Sequence, residues 1–100
     1  MIIGTTPTHV FELPFPTDVI SELRITYAQN DIVLLTKTKE DCVMNENVIE
    51  VTLNQDDTFL IEKAKVVEIQ LRILTSTGTV LGSIPMKVRA VKCLENGVIL

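Results

Sequence analysis

Within the stretch Lys65 to Thr75 the chain alternates, from Val67 on, between two kinds of side chain. Val67, Ile69, Leu71 and Ile73 fall on one side of an extended backbone, and Glu68, Gln70 and Arg72 fall on the other. Successive side chains of a strand point to opposite faces, whereas a helix repeats roughly every 3.6 residues and would scatter these aliphatics around its circumference. The segment is therefore predicted as a strand with one apolar and one solvated face. Ser76, Thr77 and Gly78 follow as turn residues, and an apolar run resumes at Val80. That hairpin signature places the chain among antiparallel β proteins.

The same pattern recurs elsewhere. Thr8 to Leu13 reads as a strand with His9, Phe11 and Leu13 on one face and Val10 and Glu12 on the other. Pro14 and Pro16 stop it, because proline cannot donate to a sheet ladder. Thr17 to Ser21 is expected as a turn or a single helical turn. Glu22 to Ala28 places Leu23, Ile25 and Tyr27 inward and Arg24 and Thr26 outward, and Gln29-Asn30-Asp31 turns it into Ile32 to Thr38. Past a charged connection over Lys37 to Asp41, a second hairpin pairs Cys42 to Asn45 with Val48 to Leu53.

Asn54 is a good N-cap, and Asp56 and Asp57 suit the positive end of a helix. One or two helical turns are predicted from Asn54 through Glu62, bridging two sheets, with Phe59 and Leu60 packing beneath. Gly82 is expected at a bulge or a close backbone approach, and Pro85 at a strand start or an edge. Met86, Val88 and Ala90 alternate in a last strand that runs to about Cys93. The sum is an all-β fold, an antiparallel β-sandwich of about seven short strands with one short helix.

A chain of 100 residues is the size of one domain, 1–100, able to bury a core but with little stability to spare. Only 4% of the residues are aromatic and tryptophan is absent, so aliphatic side chains must fill that core. Mean hydropathy is +0.33, high enough that some apolar surface is expected to stay exposed or to meet a partner. The 9 basic residues are outnumbered by 13 acidic ones and lie scattered, which excludes nucleic acid as an expected partner. No apolar run approaches membrane-spanning length, and Met1 to Pro7 has neither the basic nor the apolar region of a signal peptide. No membrane is expected, and synthesis in the cytoplasm is.

Catalytic chemistry is hard to assemble from these residues. His9 is the lone histidine, and no serine or cysteine adjoins it in sequence. Cys42 and Cys93 belong to no Cys-x-x-Cys pair and read as free buried thiols rather than a disulfide or a zinc set. Cys42 sits beside Asp41, the wrong charge to activate a thiolate. Asp56 and Asp57 are adjacent acids, but a helix start explains both and the ligand spacing of a calcium loop is missing. Gly4, Gly78, Gly82 and Gly97 are too scattered to form a phosphate loop. No catalytic residue, metal ligand or cofactor is assigned.

Strand edges remain, because their unpaired N–H and C=O groups can accept a strand from another chain. The apolar segments Met1-Ile2-Ile3 and Val98-Ile99-Leu100 are the candidate add-on strands, which makes Ile2, Ile3, Val98, Ile99 and Leu100 the candidate interface residues. The alternative for both segments is frayed chain ends.

Four segments carry a resemblance. They are Gly4-Thr5-Thr6-Pro7-Thr8-His9-Val10-Phe11, Leu23-Arg24-Ile25-Thr26-Tyr27-Ala28-Gln29, Val51-Thr52-Leu53-Asn54-Gln55-Asp56-Asp57-Thr58 and Val67-Glu68-Ile69-Gln70-Leu71-Arg72. Together they resemble a family of small prophage proteins of Gram-positive gut bacteria. Its members commonly share a Gly-Thr-Thr-Pro-Thr-His start, a Leu-Thr-Gln-Glu segment and a Val-Glu-Ile-Gln-Leu-Arg strand. Asn54 stands here where that family often has Thr, and Asp56 and Asp57 fall where it often has acids, which keeps the helix-cap logic.

The family is similar in turn to the immunoglobulin-like N-terminal domain of phage baseplate upper proteins, which docks a receptor-binding apparatus onto the tail; this step is fold analogy. The paired-cysteine and tryptophan core of antibody domains is missing, so the implied immunoglobulin-like topology concerns the sandwich only.

The resemblance implies a non-enzymatic phage structural or assembly module, tail- or baseplate-associated. It would be made in the bacterial cytoplasm and carried in the virion tail. Its implied partners are other phage structural proteins or further copies of itself. The alternative is a small carbohydrate- or ligand-binding module in host attachment. Sugar recognition leans on exposed aromatic platforms, and this chain has one Tyr and three Phe, with Tyr27 and Phe11 expected in the core. A groove lined by Tyr27, Phe15 or Phe59 with convergent polar groups would be its sign. An enzyme would need His9 within hydrogen-bond reach of a cysteine, hydroxyl or carboxylate in a pocket.

Overall fold

The computed structural model describes residues 1–62, 65–83, 86–91 and 99; the expectations for Pro85, Cys93, Val98 and Leu100 fall outside them. The alternating segments form two antiparallel sheets. The smaller has the order β1–β5–β4, from Thr8–Glu12, Val48–Thr52 and Cys42–Asn45. The larger has the order β3–β2–β6, from Ile32–Thr38, Ile20–Gln29 and Val66–Thr75. Two short strands, β7 (Val80–Gly82) and β8 (Met86–Arg89), pair with successive stretches of the same edge of β6. The described residues thus form eight strands where the alternation counts about seven, because β7 and β8 share one position in the sheet.

Ser83 splices the break between those two strands. Its N–H donates to Leu71 O at 2.8 Å, and its hydroxyl accepts the Leu71 N–H at 2.9 Å where a backbone carbonyl would otherwise serve. Gln70 Nε2 donates to Ser83 O at 3.0 Å. Gly82 pairs regularly with Arg72, and a Cβ built there would come no nearer than 4.0 Å to the Arg72 side chain. The close approach expected at Gly82 is therefore absent.

One apolar cluster joins the sheets. Leu23, Ile25 and Tyr27 of β2 and Val67, Ile69, Leu71 and Ile73 of β6 meet Phe11, Ile49 and Val51 of the smaller sheet. Leu53 and Ile61, on either side of the helical segment, belong to the same cluster. Each fully buried aliphatic contributes about 1.5–3 kcal/mol. A one-residue slip of β6 would put Glu68, Gln70 and Arg72 in their place, so the alternation fixes the register.

Turn chemistry sets the hairpins. Asn30 and Asp31 both take positive φ, 50° and 62°, the conformation of the tight turn whose twist matches paired strands. Gly78 does the same at φ 90° between β6 and β7.

The predicted helix is α1, Gln55–Phe59, and it runs from the smaller sheet to the larger. Its buried residue is Thr58, while Leu60, expected beneath it, is exposed. Thr58 can lie inside because its hydroxyl accepts the Gly4 N–H at 2.9 Å and reaches the carbonyls of Gln55 and Thr5.

The N-terminal segment pairs with the chain just after β8 before it enters β1. Ile2 bridges Val91 in parallel, with Ile3 N–H donating to Val91 O at 3.0 Å and Val91 N–H donating to Met1 O at 2.7 Å. Gly4, at φ 82°, then turns the chain so that β1 joins the smaller sheet.

Candidate functional site

His9 and Tyr27 are brought together from opposite sheets. His9 Nδ1 lies 2.7 Å from the Tyr27 hydroxyl, and the rings stand 5.5 Å apart. Burial, then the Met1 ammonium, hold the imidazole below its ordinary value of 6.5. Burial, then the charges of Cys42 and Asp57, hold the phenol well above 10.0. Both groups are therefore neutral at pH 7. The hydroxyl contact that an enzyme would need exists, but neither residue lines the depressions around Phe15 or beside Arg24 and Arg72. The arrangement fits a satisfied inter-sheet bridge.

The other reactive candidates are also occupied. Cys42 is half-buried, its thiol donates to Thr38 O at 3.3 Å, and burial followed by Asp41 pushes its pKa up. Asp57 caps α1 by accepting the Asn54 N–H at 3.0 Å and pairs with Lys37 at 2.8 Å. Burial pushes the Asp57 carboxyl up, but the Lys37 and Asn54 hydrogen bonds and the Lys37 charge outweigh it and leave the value lowered. Among the described residues no group of three or more His, Cys, Asp or Glu side chains could hold a metal, and no helix is long and apolar enough to cross a membrane.

Of the candidate interface residues, Ile3 is buried in the core and Ile2 keeps an exposed side chain. Ile99 is exposed, yet its N–H and C=O are both taken by the Gln55 side-chain amide, at 2.8 and 2.5 Å. Val98 and Leu100 lie outside the described residues.

The feature that sequence reasoning missed is the β7 edge. Thr75 N–H donates to Thr79 O, and Ser83 N–H donates to Leu71 O. Alternate residues of β7 therefore face β6, which leaves the N–H and C=O of Val80 and Gly82 directed away from the sheet. Both faces beside this edge carry exposed aliphatics. On the outer face Val80 pairs with Leu74, and they are 58% and 38% exposed. On the inner face Leu81, 40% exposed, joins Leu13, Phe15, Leu71 and Ile73 around a notch of about 150 Å³. A second depression, of about 280 Å³, spreads over the outer face from Glu22, Arg24 and Arg72 to Leu74 and Val80.

Phe15 also lines a wider hollow of about 520 Å³ with Pro14, Pro16, Glu46 and Asn47. Its amide is already spent, since Asn47 Nδ2 donates to Leu13 O at 2.9 Å. The Ser83 hydroxyl at the notch is likewise used by Leu71. Around Phe15 the Asn47 amide and the Ser83 hydroxyl are thus both engaged within the fold, which leaves the Glu46 carboxylate as the polar side chain at the wider hollow.

No family model and no curated protein matches the sequence. Among solved structures, the chain is similar to the V domain of amphioxus IgVJ-C2, at 13% identity and a TM-score of 0.39, over 91% of this chain and 95% of that one. A superposition this loose carries no argument about the immunoglobulin-like topology. The two-sheet architecture stands on the strand pairing itself.

Proposed function

We propose that this chain is a non-enzymatic structural or assembly module that acts through protein–protein contacts at the β7 edge, in the setting of a phage tail or baseplate. The observation that carries the contact mode is an edge that no described strand pairs, with exposed aliphatics on both of its faces, Val80 and Leu74 outside and Leu81 inside. Such an edge can accept a strand from a partner: backbone hydrogen bonds supply affinity, and the alternating side chains supply selectivity. The phage setting rests on the sequence resemblance alone. Reactive groups that are neutral, capped or paired support the non-enzymatic part.

The test is co-expression with the tail and baseplate proteins of the same prophage, followed by absolute mass from light scattering on a sizing column. A stoichiometric complex, or a discrete homo-oligomer, is expected. Val80→Pro should abolish it while leaving the thermal midpoint nearly unchanged, because the lost N–H points away from the β6 ladder. A monomer in every combination would sink the assembly reading.

A further inference from the structure

Arg24 and Arg72 face each other directly across β2 and β6, so two guanidinium side chains share one rung on the outer face of the larger sheet. Like charges placed directly opposite on a sheet repel each other and destabilise it. Among the described residues neither arginine lies within ion-pair distance of a carboxylate; the two ion pairs present are Lys37–Asp57 and Lys65–Glu62. Glu22 lines the same depression but sits on the neighbouring rung, opposite Leu74. The next position along the Arg24–Arg72 rung is Gly82, at the open edge. With no side chain there, no described residue stands between Arg72 and the space beyond β7.

We infer that the β7 edge selects an extended partner segment carrying an acidic residue opposite Gly82 and apolar residues opposite Leu81 and Val80. This rests on the reading of β7 as the docking edge and adds the chemistry of what docks. A strand laid against β7 points the residue opposite Gly82 to the same face as Gly82 and Arg72. Neighbouring strands lie about 4.8 Å apart, so that residue's Cα is about 10 Å from that of Arg72, a gap that a glutamate and an arginine span together. The carboxylate then neutralises a rung whose two cations otherwise only repel, and an arginine fork suits a carboxylate in two parallel hydrogen bonds. The next partner residue turns inward onto the notch of Leu81, Phe15 and Leu13, and the one after turns outward onto Val80 and Leu74. Acid–apolar–apolar is thus the pattern that the edge reads.

Two extended peptides test this, Thr-Glu-Val-Val-Thr and Thr-Lys-Val-Val-Thr, each titrated into the isotope-labelled chain and followed by amide shifts in NMR. The glutamate peptide is expected to move Val80 to Gly82 and to bind on the order of tenfold more tightly than the lysine peptide, with the gap narrowing at high salt. Arg72→Gln should erase the preference while leaving the lysine peptide's weak binding in place. Gly82→Val should fold normally, since its Cβ meets nothing closer than 4.0 Å and its backbone has no positive φ. It should also lose the preference, because the new side chain stands between the carboxylate and Arg72.

Equal binding of the two peptides would overturn the acidic selection while leaving strand docking intact. A preference that survives Arg72→Gln would overturn the assignment of the arginine. Binding of neither peptide, or edge shifts that depend only on the chain's own concentration, would overturn the inference for a foreign segment. The assembly reading would still be judged separately, by the mass of the co-expressed complex.

Discussion

His9 Nδ1 and the Tyr27 hydroxyl stand 2.7 Å apart, one contributed by each sheet, and both groups are held neutral at pH 7 by burial. Their position in the sandwich, rather than any reaction, accounts for their pKa shifts.

That pair bounds the pH range of stability. His9 has a folded value below 6.5, so above 6.5 its contribution is fully present, and it is lost as pH falls through the folded value while the unfolded chain takes up the proton first. Tyr27 has a folded value above 10.0, so its contribution is intact below 10.0 and is lost as pH rises beyond it. Denaturant midpoints measured across pH should fall at both ends. Tyr27→Phe should flatten the alkaline limb and cost about 1 kcal/mol at neutral pH. His9→Ala should leave any assembly activity intact; a reaction abolished with the fold unchanged would contradict the non-enzymatic reading.

The helix cap predicts a second loss. Asn54 Oδ1 accepts the Asp57 N–H at 2.7 Å while Asp57 accepts the Asn54 N–H, a reciprocal pair at the start of α1. Asn54→Ala should destabilise the chain by about 1 kcal/mol, and Asn54→Ser should recover most of that. Urea titration of the three proteins side by side would decide it.

Ser83 predicts a rescue by one relative only. Ser83→Ala strips the acceptor from the Leu71 N–H, in the middle of the central strand, at a cost of about 1–3 kcal/mol. Ser83→Thr keeps the hydroxyl and should stay near the parent. Amide exchange at Leu71 should accelerate in the alanine variant and remain slow in the threonine one.

Gln29 predicts an effect confined to one corner. Its buried amide donates to Glu62 O at 2.8 Å and accepts the Glu62 N–H at 2.7 Å, fastening the end of β2 to the chain after α1. Gln29→Leu should raise hydrogen exchange at Glu62 far more than at Ile69 or Leu71. Uniform acceleration across the sheets would show that the clamp is not local.

The strands were legible because each carries its own period: the inward set Val67, Ile69, Leu71 and Ile73 read from sequence is the buried set. The cap was legible because Asn54 and Asp57 lie within one helical turn. Contacts between distant segments were not. Nothing in the first residues announces that Ile3 enters the core beside Val91, or that His9 meets Tyr27, since both depend on how the sheets stack. The Arg24–Arg72 rung was hidden for the same reason. Each arginine reads as an ordinary outward residue, and only the β2–β6 register places them together. Leu60 is apolar yet exposed because the helix's rotation turns Thr58 inward instead, which hydropathy alone does not show.

The pairing of β2 with β6 also orders events at the ribosome. Leu23 finds its partner in Ile73, so the central pair of the larger sheet cannot close until β6 has been translated, long after β2. β1, β4 and β5 are complete by Thr52 and can zip together well before β6 has been made. In that interval the inward side chains of Phe11, Ile49 and Val51 have no covering layer, and the nascent protein is most vulnerable to aggregation or chaperone capture.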